Sequence, residues 1–488
     1  MNNPGITVVG LGPGDPGLLT RQAWDLLGEI KEIYLRTRMH PTVAGFPVGL
    51  RVHSFDHYYE EGASFEEVYE NIVDTVLSLG QRDSGVVYGV PGHPFIAEAT
   101  SPEIARRAEE TGIPFTVIEG LSFLESLFSL LGIDPFPQTT LVDALELTIG
   151  HHPPFPPSAP AVIAQIHSPS VASDLKITLM GVYPDQHQVT LVHGAGTKNA
   201  FVESMALYEI DRNPNIGLLT ALYLPPLESG TSFEVFQEIV AHLRAPDGCP
   251  WDRDQTHQSL RPYLLEETYE VLAALDSADQ DALREELGDL LLQVVLHAQI
   301  ASEYGNFSMG DVLLGIHDKL IRRHPHVFGD LDLDDKQKVL ENWEKIKITE
   351  REQDGNKASG VLGGVSQALP ALVQAEAYQE RVNRVGFDWL NIQGVFDKIE
   401  EELVEVKEAV SPEEQEAEIG DLLFAVVNLA RWIKLDAESS LRSASARFRK
   451  RFEDLESSVN AQGREVSNLT FEELNALWNS VKGEGNGW

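Results

Sequence analysis

LLEETYEVLAAL (264–275) and IEEELVEVKEAV (399–410) write the pattern Glu-Glu-x-x-Glu twice in one chain. Each is followed by an apolar run with its own acidic start, EELGDLLLQVVLHAQ (285–299) and EIGDLLFAVVNLAR (418–431). Leu264, Leu265, Thr268, Leu272 and Leu275 recur at intervals of three and four, the period of an amphipathic helix. The polar, glycine-rich REQDGNKASGVLGG (351–364) separates the two copies, so the second half of the chain is expected to be all-α, as two helical domains near 232–350 and 365–488.

Upstream the pattern changes. ITVVG (6–10), SGVVYGV (84–90), FTVIEG (115–120), AVIAQI (161–166) and QVTLVHG (188–194) are short β-branched runs alternating with amphipathic segments, as in an α/β domain over 1–225. HHPPFPPSAP (151–160) carries five prolines and can be neither helix nor central strand. It is expected to join two lobes, about 1–150 and 160–225.

The chain has 488 residues, enough for several domains. Thirty-seven basic against 76 acidic residues give a net charge of -39, which would repel duplex nucleic acid and anionic lipid. Cys249 stands alone, so there is no intrachain disulfide, in keeping with a reducing compartment. No apolar run approaches the roughly 18 residues of a membrane span. A cytoplasmic protein is expected.

Residues three apart share a helix face, so Glu267 with Glu270 and Glu286 with Asp289 form acidic pairs in the first copy. Glu402 with Glu405 and Glu418 with Asp421 repeat them in the second. Packing the two helices of a copy through their apolar stripes would gather four carboxylates, which repel one another unless a cation intervenes. Hard oxygen ligands in that number suit Mg²⁺ or Mn²⁺. A lone Glu-x-x-Glu is ordinary solvated surface; two coupled pairs, duplicated, are not. A ferritin-like di-iron centre would want Glu-x-x-His on two helices, whereas His297 lies eight residues past Asp289.

Cations recur as well. Lys319 and Arg323 stand one turn apart in the first copy, as do Arg447 and Arg451 in the second. NWEKIK (342–347) then supplies Trp343 and Lys347, and WNSVK (478–482) supplies Trp478 and Lys482.

With GCPWDRDQTHQSLRPYLLEETYE (248–270) and RVGFDW (384–389), these motifs make the helical half resemble two tandem MazG-type nucleoside triphosphate pyrophosphohydrolase domains. The resemblance implies Mg²⁺-dependent hydrolysis between the α and β phosphates, giving a nucleoside monophosphate and pyrophosphate. It implies metal at the eight acids named above and charge neutralisation of the phosphates by Lys319, Arg323, Lys347, Arg447, Arg451 and Lys482. Trp343 and Trp478 become candidates for the base or a pocket wall. Asn428, where the first copy has Leu296, becomes a ribose hydrogen-bonding candidate. The family also implies homo-oligomers built through the helices.

In the first half, GLGPGDPG (10–17), YGVPGHPFIAEAT (88–100), EGLSFLESLFSLLGID (119–134) and LVHGAGT (191–197) occur in the order seen in tetrapyrrole methylases, a two-lobed α/β family. That resemblance implies S-adenosylmethionine in the cleft between lobes, lined by Leu11, His93, Ile96, Ser122 and Phe123. His93 stands where many methylases carry Asp. The methyl acceptor stays open. So do two rival readings of the whole chain: a methyltransferase whose helical half serves assembly, and a non-enzymatic scaffold that binds metal or a partner.

Overall fold

In the computed structural model the described residues are 5–481, apart from 63, 333–334, 337, 340–341, 344–345, 347–348 and 351–359. The chain divides into two compact units, Met1–His242 and Leu243–Trp488.

The first unit is the expected α/β fold. β1 (Ile6–Gly10), β2 (Glu32–Leu35), β3 (Arg51–Ser54), β4 (Val86–Val90) and β5 (Phe115–Ile118) form a parallel sheet in the order β3-β2-β4-β1-β5. β1 is flanked on both sides, and its near-continuous apolar run is what a strand covered on both faces requires. β6 (Thr140–Asp143), β7 (Ala161–Ala164), β8 (Gln188–His193), β9 (Phe201–Ala206) and β10 (Thr220–Leu224) form a second sheet in the order β6-β7-β10-β8-β9.

The lobe boundary differs from the one expected near 150. β6 pairs in parallel with β7, Thr140 opposite Ala161 through Asp143 opposite Ala164, so the second sheet begins before the prolines. Parallel neighbours need a crossover connection. The Ala144–Ile149 helix and the proline-rich 151–160 provide it inside the second lobe. The Phe123–Leu131 helix lies between the sheets in sequence, and its Leu127 is buried with Val162, Val192 and Ala221 of the second.

The second unit is helical and holds both copies. In the first copy the Arg261–Ser277 helix turns directly into Gln280–Glu303; in the second, Ile392–Glu408 turns into Pro412–Trp432. Local chemistry sets both turns. Asp279 caps the backbone N–H groups of Asp281 and Ala282, and Ser411 with Glu414 forms a reciprocal capping box ahead of Pro412. So short a connection folds each pair back on itself and brings its acidic faces together. Among the described residues an ion pair, Arg442 with Asp276 at 3.3 Å, joins the two copies.

Candidate functional site

In the first copy, carboxylate oxygens of Glu267, Glu270 and Glu286 lie within 4.8 Å of one another; in the second, those of Glu402, Glu405 and Glu418 do. Each cluster draws two residues from one helix and one from the next. Desolvation, then the charges of Asp289 and Glu270, raises Glu267 above the ordinary carboxylate range, and desolvation with Glu270 and Asp289 does the same to Glu286. Glu405 is raised by desolvation and by Glu402 and Glu418. Repulsion of this kind is what a multivalent cation relieves, and all donors are hard oxygens, so both clusters fit Mg²⁺ or Mn²⁺. Asp289 and Asp421, expected as fourth members, stand outside the tight trios. Asp289 still acts on its trio by charge, and Asp421 lines a cavity with Glu402.

The copies then diverge. Glu402 is buried at 4 % exposure, and Lys398, one turn earlier, places Nζ 2.7 Å from its Oε1 and 2.9 Å from Glu401. The first copy has Tyr263 at the position of Lys398. Sequence reasoning passed over this lysine, although its spacing of four from a glutamate of the acidic cluster was a readable signal.

The second copy also holds a cavity of about 630 Å³, lined among others by Glu402, Asp421, Lys398, Asn428 and Arg431. Arg431 gives Asp388 two hydrogen bonds, 2.7 and 2.8 Å, and bonds Asn428 Oδ1 through Nε at 3.1 Å and Nη2 at 2.7 Å. Trp432 Nε1 donates to Asp388 at 3.1 Å. Asp388 belongs to the RVGFDW motif, so that motif holds the Asn428 side chain from across the copy.

Among the described residues no ion pair ties Arg447 or Arg451, both on the Ala437–Ala461 helix. Arg323 of the first copy is engaged: with Arg322 it grips Glu350, Nη2 to Oε2 at 2.6 Å. Lys319 is exposed one turn earlier. Trp343 meets His324 edge-on at 4.9 Å between centroids, and Trp478 packs against Phe448 at 5.1 Å. Lys347 and Lys482 lie outside the described residues.

In the first unit the loops after β1, β4 and β5 meet at one end of the sheet. Gly12 and Gly92 exchange backbone hydrogen bonds, and a Cβ on Gly10 would stand 2.6 Å from Gly120 N and 2.7 Å from Gly92 O. Only glycine permits that approach, and Gly92 has φ +68. Across the lobes, Asp15 N donates to Gly196 O of the LVHGAGT loop at 2.8 Å. Of the expected cofactor residues, Ser122 caps the following helix and bonds Glu125 at 2.6 Å, while His93 Nδ1 accepts from Phe95 N at 3.1 Å. Ile96 closes the turn with its N–H on His93 O, and Phe123 packs on the second sheet. Leu11 is fully buried in the core under β1, which leaves its backbone as the part a ligand could meet.

Comparison with known proteins agrees with these two halves. Residues 5–211 match the model of the tetrapyrrole (corrin/porphyrin) methylases, and residues 255–328 that of the MazG nucleotide pyrophosphohydrolase domain. The protein YabN of Bacillus subtilis is 40% identical over 98% of both chains. The nucleoside triphosphate pyrophosphohydrolase/pyrophosphatase MazG of Thermotoga maritima is 48% identical over 52% of this chain and 98% of its own. The Escherichia coli K12 nucleoside triphosphate pyrophosphohydrolase is 45% identical over 50% of this chain and 94% of its own. The chain belongs to the YabN-type family, in which a tetrapyrrole methylase domain is fused to a MazG nucleotide pyrophosphohydrolase domain.

Proposed function

We propose that the helical half hydrolyses nucleoside triphosphates to nucleoside monophosphate and pyrophosphate with Mg²⁺ or Mn²⁺, chiefly at the second copy. The observation that carries this reading is the duplicated trio of carboxylates, each gathered within 4.8 Å. Glu402, Glu405 and Glu418, with Asp421 beside them, would hold the metal, which when bound supplies positive charge to the phosphates. Lys398 neutralises part of the acidic charge beforehand, so that a triphosphate meets a less repulsive site. Arg447 and Arg451 offer uncommitted guanidinium groups for phosphate oxygens. Trp478 is the wall expected from the sequence, and Asn428, held by Arg431, gives a fixed amide to the nucleoside. The first copy would keep Glu267, Glu270, Glu286 and Asp289 as a metal site of lower turnover.

The strand-rich half is proposed to bind S-adenosylmethionine at the glycine-rich loops around Gly12, Gly92 and Ser122, where the backbone of three loops converges without side chains in the way. Its methyl acceptor is open. Exposed apolar side chains on the helical unit, such as Leu314 and Leu423 at 58% and 52%, support association with further copies of the chain through these helices. Among the described residues no helix is long and apolar enough to cross a membrane, and the single cysteine suits the cytoplasm proposed here.

The test is a panel of ribo- and deoxynucleoside triphosphates with Mg²⁺, scored for pyrophosphate. Release from at least one nucleotide, abolished by chelation, is expected; metal binding without turnover would leave the scaffold reading in its place. Equilibrium dialysis of the full chain against S-adenosylmethionine tests the other half, with binding expected to weaken in Gly92→Leu.

A further inference from the structure

We propose that Arg36 and Glu98 are positioning residues of the cofactor site: their buried ion pair holds the loop after β4, residues 92–98, in the shape that receives S-adenosylmethionine. The inference rests on the cofactor reading proposed above for the strand-rich half and adds what keeps that site formed.

The loop bends where an L-residue resists bending. Ala97 has φ +51, in the left-handed region that a Cβ disfavours. Such a conformation persists only where its surroundings hold it, and Glu98 is the next residue. The Glu98 side chain is 1 % exposed. Its Oε1 accepts from the N–H of Thr100 at 2.9 Å and from the Thr100 hydroxyl, while Oε2 accepts from Arg36 Nη1. Thr100 Oγ1, its proton given to Glu98, accepts in turn from Tyr88 OH at 2.9 Å, and Tyr88 is fully buried in β4.

Arg36, the residue after β2, is fixed as firmly. Its Nε donates to Tyr59 OH and its Nη2 to Tyr69 OH, both at 3.0 Å, and its backbone N–H donates to Gly89 O at 3.0 Å. All three guanidinium nitrogens are engaged within the fold, so Arg36 reaches a cofactor only through the loop. The other end of the loop is pinned by the exchange of backbone bonds between Gly92 and Gly12. His93 and Ile96 stand between the two anchors.

The place in the sheet agrees. The chain leaves β2 for β3 at the sheet edge, whereas it leaves the neighbouring β4 across β1 for β5. Connections that diverge from adjacent strands open the crevice in which α/β sheets take ligands, and the Arg36–Glu98 pair spans it.

A buried ion pair is a weak source of stability, since apolar side chains in its place often stabilise a fold as well. Stability and positioning can therefore be separated. The experiment measures, on the full chain, dissociation constants for S-adenosylmethionine and S-adenosylhomocysteine, the Tm, and amide exchange across residues 92–98 by mass spectrometry. Glu98→Gln strands the Arg36 charge and should lower the Tm, weaken both ligands tenfold or more and speed exchange in the loop. Arg36→Met combined with Glu98→Leu should recover Tm over Glu98→Gln while affinity stays at least tenfold down and exchange stays fast. Adding Ala97→Gly to Glu98→Gln should restore part of the affinity, because glycine takes a positive φ without an anchor. Native affinity in a folded Glu98→Gln chain, or affinity that returns with the Tm in the apolar double variant, overturns the inference and leaves the cofactor reading in place. A native chain that binds neither ligand sinks the cofactor reading instead; fast exchange in the apolar double variant would then still sustain the anchor, and native exchange would overturn it.

Discussion

The two helical copies begin from the same acidic pattern and end in different electrostatic states. The trio of the first, Glu267, Glu270 and Glu286, has no cation among the described residues, and its charges raise one another. The second places Lys398 2.7 Å from Glu402 and opens a cavity toward Asn428. Farther along the chain the contrast reverses. Arg323 of the first copy is held by Glu350, whereas Arg447 and Arg451 of the second carry no ion pair among the described residues. Duplication kept the acidic trio in both copies, while the groups that would meet a nucleotide on the proposed function are available in one. A carboxylate cluster is thus the part of the motif that says least about which copy turns over.

The largest expected effect removes both clusters. Glu267→Gln combined with Glu402→Gln should abolish metal-dependent pyrophosphate release while the helical circular dichroism stays as in the native chain. Turnover by a folded double variant would rule out these ligands in both copies.

Next come the cations. Arg447→Ala and Arg451→Ala should each lower kcat/KM by about tenfold to a hundredfold, the scale of a lost charged hydrogen bond to phosphate. Arg323→Ala should change it by less than about twofold, because that side chain already serves Glu350. Equal losses in the two copies would erase the contrast. Asn428→Leu, which writes the first copy's residue into the second, should cost about tenfold, within the range for leaving a ligand group unpaired.

The smallest effect is one of stability against pH. Bonds from Arg323 and then Arg322 hold Glu350 down to about 2 against the opposing effect of burial. A depressed carboxylate stabilises the fold above its unfolded value and loses that contribution as pH falls through the folded one. The Tm difference between the native chain and Glu350→Gln should therefore shrink from about pH 4.5 toward pH 2, the two values that bound the shift. Glu267 and Glu286 work in the opposite direction: raised in the fold, they favour it at low pH and oppose it as pH rises. A difference that does not vary with pH would show that the Arg323–Glu350 pair is not made in solution, and would release Arg323 for phosphate.

Much of this was legible from residue spacing. Helical period, the Glu-Glu-x-x-Glu repeats and the glycine-rich turns identify the fold of both halves, because each depends on contacts within a few residues. What escaped depends on pairing over distance. The proline-rich 151–160 looked like a lobe boundary, yet the strand before it, Thr140–Asp143, hydrogen-bonds to the strand after it. Arg431 with Asp388 spans 43 residues, and Arg323 with Glu350 spans 27, so neither engagement can be read from one helix face. Lys398 was within reach: it lies one turn from Glu402, and only the search for acids passed it by.

The most direct test of the claim that the second copy does the chemistry is to make Glu270→Ala and Glu405→Ala separately and compare kcat/KM for the best nucleotide. The account predicts a loss of about a hundredfold or more for Glu405→Ala and only a few-fold for Glu270→Ala, as expected when one removes a ligand of the working metal and the other does not. A larger loss from Glu270→Ala than from Glu405→Ala would contradict it and place the working site in the first copy.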